Sequence, residues 1–197
     1  MWRVASKLRA RTRPRKTLPP LLFFTDPRRT PHPERVIARL PRGSGVVFRD
    51  FGARDAVARG LVLARAARRR GLVFVVGADA RLAVRLRADG VHLPQRLAGR
   101  AGEIAALRRH FLITAAAHDL PAALRARRAG VDAIVVSPVF MSASPSAARP
   151  LGALRFAALL RRAAAPAYAL GGVNAKTIRR LKHSGAVGVA AIDGLMD

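Results

Sequence analysis

From Pro20 onward, short apolar runs alternate with segments in which Ala and Leu recur against Arg at helical spacing. The runs are "LLFFTD" (21–26), "VVFRDF" (46–51), "LVFVVG" (72–77), "GVHL" (90–93), "FLITAA" (111–116), "DAIVVS" (132–137), "AYALGG" (167–172) and "VGVAAID" (187–193). Their apolar character is continuous rather than alternating, which predicts strands buried on both faces, as in a parallel sheet. Between them the pattern predicts helices near 32–40, 54–70, 79–87, 98–109, 119–128, 151–163 and 174–183. Eight strand–helix units in so short a chain leave an open doubly wound sheet or a closed (β/α)8 barrel at the compact end of its size range. No Gly-x-Gly-x-x-Gly follows the first run, so the expected fold is α/β, a compact (β/α)8 TIM barrel.

Helix boundaries carry their own signals. Asp79, Asp119 and Asn174 are candidate N-caps, and Gly71, Gly130 and Gly185 stand where helical segments end. After the eighth run only "GLMD" remains, so the last helix is expected to be truncated. The seam would then be open, or closed by a partner or by the N-terminal leader.

Composition narrows the picture. A chain of 197 residues with 51% hydrophobic content forms one core, and the absence of Cys excludes disulfides and thiolate metal sites. No apolar run reaches the ~18 residues of a membrane span. A soluble, cytoplasmic protein is expected. The leader, 1–19, is strongly basic, holds no acid and lacks the apolar centre of a secretory signal; it is expected as a disordered tail before a barrel domain at 20–197.

The formal charge is +26, and all but four of the 37 basic residues are arginine. Most stand among alanines in helical segments such as "ARAARRRG", where they read as solvated faces, and aromatics make up only 5% of the chain. Nucleic-acid binding is therefore the least favoured function class, and charge bears on solubility and association rather than on fold.

In a barrel of this kind, function sits on the loops at the C-terminal ends of the strands. Gly171 and Gly172 end the seventh run, and "AID" (191–193) ends the eighth. Those two positions commonly hold a phosphate on backbone amides, helped by a short helix N-terminus. A tight turn needing positive φ explains the glycines equally simply. The loop "SPVFMSASPSAARPLG" (137–152) offers Ser142 and Ser144 as further donors, unless it is only a surface loop.

Taken in order, four segments resemble the thiamine phosphate synthase/TenI family of (β/α)8 proteins: "LLFFTD", "ADGVHLPQ", "AGVDAIVVSPVF" and "ALGGV…GAVGVAAID". The resemblance implies thiamine biosynthesis: a pyrimidine pyrophosphate condenses with a thiazole phosphate, assisted by Mg²⁺, or a thiazole carboxylate phosphate is isomerised without metal. It implies a small phosphorylated heterocycle as ligand, with Gly171, Gly172, Ile192, Asp193, Ser142 and Ser144 around its phosphate. Arg49 would contact the anion, and His92 or His118 would move a proton. A homo-oligomer is compatible, and a membrane is not implied.

The family's other ligands are largely replaced. Its two Mg²⁺-binding aspartates fall on Ala78 and Leu97, leaving Asp79 as the single candidate for a metal role. Its pyrophosphate-gripping lysine falls on Pro145, its strand-5 serine on Ala116, and the TenI histidine on Pro138. Glutamine and lysine positions beside Arg49 hold Val47 and Phe51, and Asp193 stands where the family has serine. Two readings follow: a divergent enzyme of this family, or a catalytically silent phosphate-ligand barrel acting as sensor or partner subunit.

Overall fold

The computed structural model describes residues 1–8, 10–49, 52–142, 149–193 and 195. The eight apolar runs become β1 (Leu21–Phe24), β2 (Gly45–Phe48), β3 (Val73–Gly77), β4 (Gly90–Leu93), β5 (Leu112–Ala117), β6 (Ala133–Val136), β7 (Ala167–Ala169) and β8 (Gly188–Ala191). Each pairs in parallel with its neighbour in sequence, and β8 pairs with β1. The result is a closed barrel.

Continuous apolar strands suit this closure because both faces are covered. Along β1, Leu22 and Phe24 join Val47, Val75, Val135 and Tyr168 inside the barrel, whereas Leu21 and Phe23 join the outer layer under the helices. That outer layer is made by α2 (Pro33–Arg39), α3 (Ala56–Arg69), α4 (Ala80–Arg85), α5 (Ala101–Leu107), α6 (Leu120–Arg128) and α7 (Gly152–Ala163), following a short α1 (Trp2–Ala5) in the leader. Alanine dominates several buried helix faces: Ala64 and Ala67 on α3, and Ala122, Ala123 and Ala126 on α6. Small side chains let these helices lie close to the strands at crystal-like density. The arginines of the same helices turn outward.

Two predicted caps form as expected, Asp79 accepting from Leu82 N at 2.8 Å and Asp119 from Ala122 N at 2.7 Å. The segments 95–100 and 177–181 wind as 3₁₀ turns rather than α-helix. Among the described residues no helix follows β8, yet the seam is closed: Val189 N donates to Pro20 O at 3.0 Å and the β1–β8 ladder continues from there.

The leader, expected as a disordered tail, makes contacts with the barrel. Ala5 is buried in the outer core, Arg11 N donates to Gly185 O at 3.0 Å, and Lys16 Nζ lies 2.9 Å from Asp132. Asp132 also accepts from Ile113 N at 2.8 Å, so a nearly buried carboxylate gains a cation there. This gives the basic segment a reason to dock. Further along, the buried Tyr168 hydroxyl crosses the N-terminal end of the barrel to donate to Pro19 O at 2.8 Å.

Tyr168→Phe should therefore leave the Pro19 carbonyl unpaired in a dry setting and cost about 1–2 kcal/mol. Thermal denaturation should show a midpoint lowered by roughly 2–6 °C; an unchanged midpoint would mean that this link does not hold the leader to the barrel.

Candidate functional site

The described candidate site residues lie at or near the C-terminal ends of the strands, but in separate settings. The first is a tier inside the mouth. Arg49, just past β2, donates from Nε to Thr25 O at 2.9 Å, lies 3.3 Å from the Asp26 carboxylate and sits 5.4 Å above the Phe24 ring. Phe24 in turn meets the His92 ring edge-on at 4.9 Å, and His92 Nδ1 is 2.9 Å from Thr114 Oγ1. Burial lowers the pKa of Arg49, with Asp26 acting against that fall. For His92, burial first and the Arg49 charge second push the pKa down to about 3.

His92 is thus a neutral, hydrogen-bonded side chain rather than the proton carrier expected from sequence. A base that stays unprotonated until such acidity has little driving force to abstract a proton near pH 7. His118 is different. It is exposed, its Nδ1 lies 2.7 Å from Ser137 O, and its backbone N donates to the Gln95 amide oxygen at 2.9 Å. It opens onto a cavity of about 590 Å³ that Arg96 and Arg125 also line.

The second setting is the rim formed by the loops after β6, β7 and β8. Here the backbone ladder continues past the strands, with Val139 N donating to Leu170 O and Phe140 N to Gly171 O, both at 2.9 Å. Gly171 and Gly172 have φ of +93° and +62°. A Cβ on Gly172 would stand 2.0 Å from Met141 O, and one on Gly171 would stand 2.9 Å from Pro138 Cα. Only glycine allows this crossing of two main chains. The Gly171 and Gly172 carbonyls accept from Phe140 N and Thr177 Oγ1, whereas among the described residues their N–H groups have no recorded acceptor.

The neighbouring short helix does not contribute as expected. Asn174 Oδ1 already accepts from Lys176 N at 2.9 Å and Thr177 N at 3.0 Å. Those first-turn amides are occupied. Ile192 packs against the barrel interior, and the exposed Asp193 carboxylate is taken by Arg29, whose Nε lies 3.1 Å away. Ser142 belongs to the same rim, and Ser144 lies outside the described residues, as do Phe51 and Pro145. Sequence reading missed Arg29, Asp26 and Thr114. Asp26 and Thr114 lie in runs read only as strands, "LLFFTD" and "FLITAA", and "TDPRRT" after the first strand held the charges in plain view.

Comparison with known proteins bears on what this mouth serves. The family described as thiamine monophosphate synthase matches residues 21–195. The chain belongs to the thiamine monophosphate synthase/TenI family. A thiamine-phosphate synthase of Chloroflexus aurantiacus is 30% identical over 174 residues, covering 84% of this chain and 78% of that protein. A protein of Aquifex aeolicus named for the same activity is 31% identical over 116 residues, 59% of this chain and 62% of its own length. Among solved structures, the thiamine phosphate pyrophosphorylase of Pyrococcus furiosus superposes with a TM-score of 0.71 at 22% identity, over 96% of this chain and 87% of that one. An aldolase superposes at 0.65 with 13% identity, over 99% of this chain and 94% of that one, so the shared shape alone speaks for fold and not chemistry.

Membership of the synthase family raises the question of Mg²⁺, and the described residues do not fit it. Ala78 and Leu97 offer no ligating atom, and Ala78 N is bonded to His92 O at 2.8 Å. Asp79 is an exposed cap of α4, Asp119 caps α6, Asp26 is held by Arg49 and by Arg28 and Arg29 backbone N–H groups, and Asp193 is held by Arg29. Among the described residues no three His, Asp or Glu side chains converge. Asp79, the single candidate for a metal role, uses Oδ1 to cap α4, and among the described residues it joins no cluster of acidic or His ligands.

The buried histidine of this family member gives a pH signature. Its pKa in the folded protein, about 3, lies below the ordinary 6.5, so the unfolded chain binds the proton first. Stability conferred by neutral His92 is full above the ordinary value and is lost as pH falls from there toward the folded value. Between pH 7 and pH 4 the wild type should lose up to a few kcal/mol more than His92→Gln, as read by urea denaturation. Parallel pH profiles for the two proteins would contradict the assignment.

Proposed function

We propose that this family member binds a small heterocycle carrying a phosphate monoester, with the phosphate on the Gly171 and Gly172 amides, and does not perform the Mg²⁺-assisted condensation. Its family works in thiamine biosynthesis on phosphorylated precursors, which makes a thiazole phosphate the best-matched ligand. The observation that carries the reading is the pair of N–H groups at a rim whose carboxylate, Asp193, is neutralised by Arg29. An unpaired carboxylate ~4 Å from a bound anion would cost about 1 kcal/mol in water and about 4 kcal/mol at an effective dielectric of 20. The ion pair removes most of that penalty.

Nothing comparable supports the pyrophosphate side. A departing pyrophosphate needs a metal ion or unpaired cations aimed at it. Arg49 has its Nε–H on Thr25 O and one Nη2–H on the Asp26 carboxylate, so its charge is already partnered, and the positions of the family's metal ligands are apolar. His118 favours a second reading, a metal-free isomerisation of the TenI type, because it is an exposed imidazole at the mouth with two arginines around the adjoining cavity. In that reading His118 moves the proton and His92 only buttresses the floor.

Incubated with both thiamine precursors and Mg²⁺, the purified protein should give no thiamine phosphate above background while still binding thiazole phosphate by calorimetry. Robust product formation would defeat the proposal. Arg29→Ala should weaken that binding roughly 5- to 100-fold by exposing the Asp193 charge, and adding Asp193→Asn should restore most of it. Equal affinity in all three proteins would remove Asp193 and Arg29 from the site.

A further inference from the structure

The arginines of α3 and α6 stand on helix surfaces, as solvated faces do, but the leader gathers cations differently. Its docking leaves two clefts at the end of the barrel away from the phosphate cradle. One, of about 640 Å³, is lined by Arg3, Lys7 and Arg11 of the leader and by Lys182 and His183 of the loop before β8. The second, of about 400 Å³, holds Arg13, Arg15 and Lys16 and shares Leu8 with the first. No carboxylate lines either cleft, and among the described residues the ion pair of Lys16 with Asp132 is the one acid contact in the group.

Sequence explains why this end has no local counter-charge. Residues 1–25 and 133–192 contain no Asp or Glu at all, and docking of the leader brings the first stretch against the second. Joined cationic clefts with no acid suit a ligand that carries a row of anions rather than one. Arginine forks favour phosphate oxygens in particular. The large exposed apolar side chains, Leu61, Val62, Val84, Leu107, Met141 and Leu154, lie outside both clefts, and the apolar residues that do line them, among them Val4, Leu8 and Leu18, are partly buried against the core, so no projecting apolar wedge is offered to a lipid surface. The clefts hold none of the Asn, Gln, Asp or Glu side chains that read adenine or cytosine edges, and their Arg and Lys side chains are equally suited to phosphate.

We propose that the N-terminal end of the barrel, built from the leader and the loop before β8, is a sequence-independent docking surface for the phosphodiester backbone of a nucleic acid. Binding there releases counterions, so affinity falls steeply with salt. It does not depend on the ligand assigned to the mouth.

The test is fluorescence anisotropy of the full-length protein with a labelled single-stranded RNA and a labelled DNA duplex, both of random sequence, across a salt series. Binding to either should follow a linear log–log salt dependence, and the better of the two identifies the source of the backbone. Replacing Arg3, Lys7 and Arg11 together by Ala should weaken binding at least ~10-fold and flatten the slope by about 2–3. Lys182→Ala with His183→Ala, which leaves the leader intact, should also weaken it. Replacing the exposed Arg65, Arg69 and Arg81 of α3 and α4 removes the same charge and should change affinity less than ~2-fold. Equal losses from both triple variants would reduce the effect to net charge and overturn the proposal. So would failure to bind either nucleic acid, or binding only to vesicles of anionic lipid.

Discussion

The contact between Met141 O and the place where Gly172 lacks a Cβ fixes the site more than any side chain does. Two main chains cross at the rim because β6 and β7 continue their pairing beyond the strands, through Val139, Phe140, Leu170 and Gly171. The crossing sets both glycines at positive φ, uses their carbonyls and leaves their N–H groups without a recorded acceptor among the described residues. One arrangement thus meets the need for close approach and leaves two backbone donors at the rim. A substitution at Gly172 would disturb both at once.

Around that rim, charges are arranged in pairs. Each described carboxylate near the mouth already has a partner: Asp26 with Arg49, Asp193 with Arg29, Asp79 and Asp119 with helix N-termini. Below the rim, Phe24 separates a half-buried cation from a neutral imidazole. Together these make a mouth whose described acids are paired and whose floor holds a buried, neutral imidazole. Such a mouth suits holding an anion that stays attached to its carrier better than expelling one.

The barrel was legible because the signal for buried parallel strands is long-range and repeated. Each of the eight runs overlaps its strand, with β2 starting one residue before its run at Gly45 and β5 ending one residue after its run at Ala117, and two further segments wind as 3₁₀ turns. The leader was not legible: its docking rests on Lys16 finding Asp132 and on Tyr168 finding Pro19, contacts between residues more than 110 apart in sequence. The rim was half legible. Paired glycines announced a special backbone, but not that the β6 loop lies against them. His92 looked like a titratable group, and only burial beside Arg49 and Phe24 reveals it as neutral. Arg29 went unnoticed because an arginine among so many carries no information until its partner is known.

The central claim is that the two rim amides hold an anion. The most direct measurement is titration of the isotopically labelled protein with inorganic phosphate, followed by amide NMR. Saturable shifts should appear at Gly171 and Gly172, with smaller ones at Ile192 and Asp193. Shifts confined to arginine-rich helix surfaces, or none at the two glycines at saturating phosphate, would contradict the account.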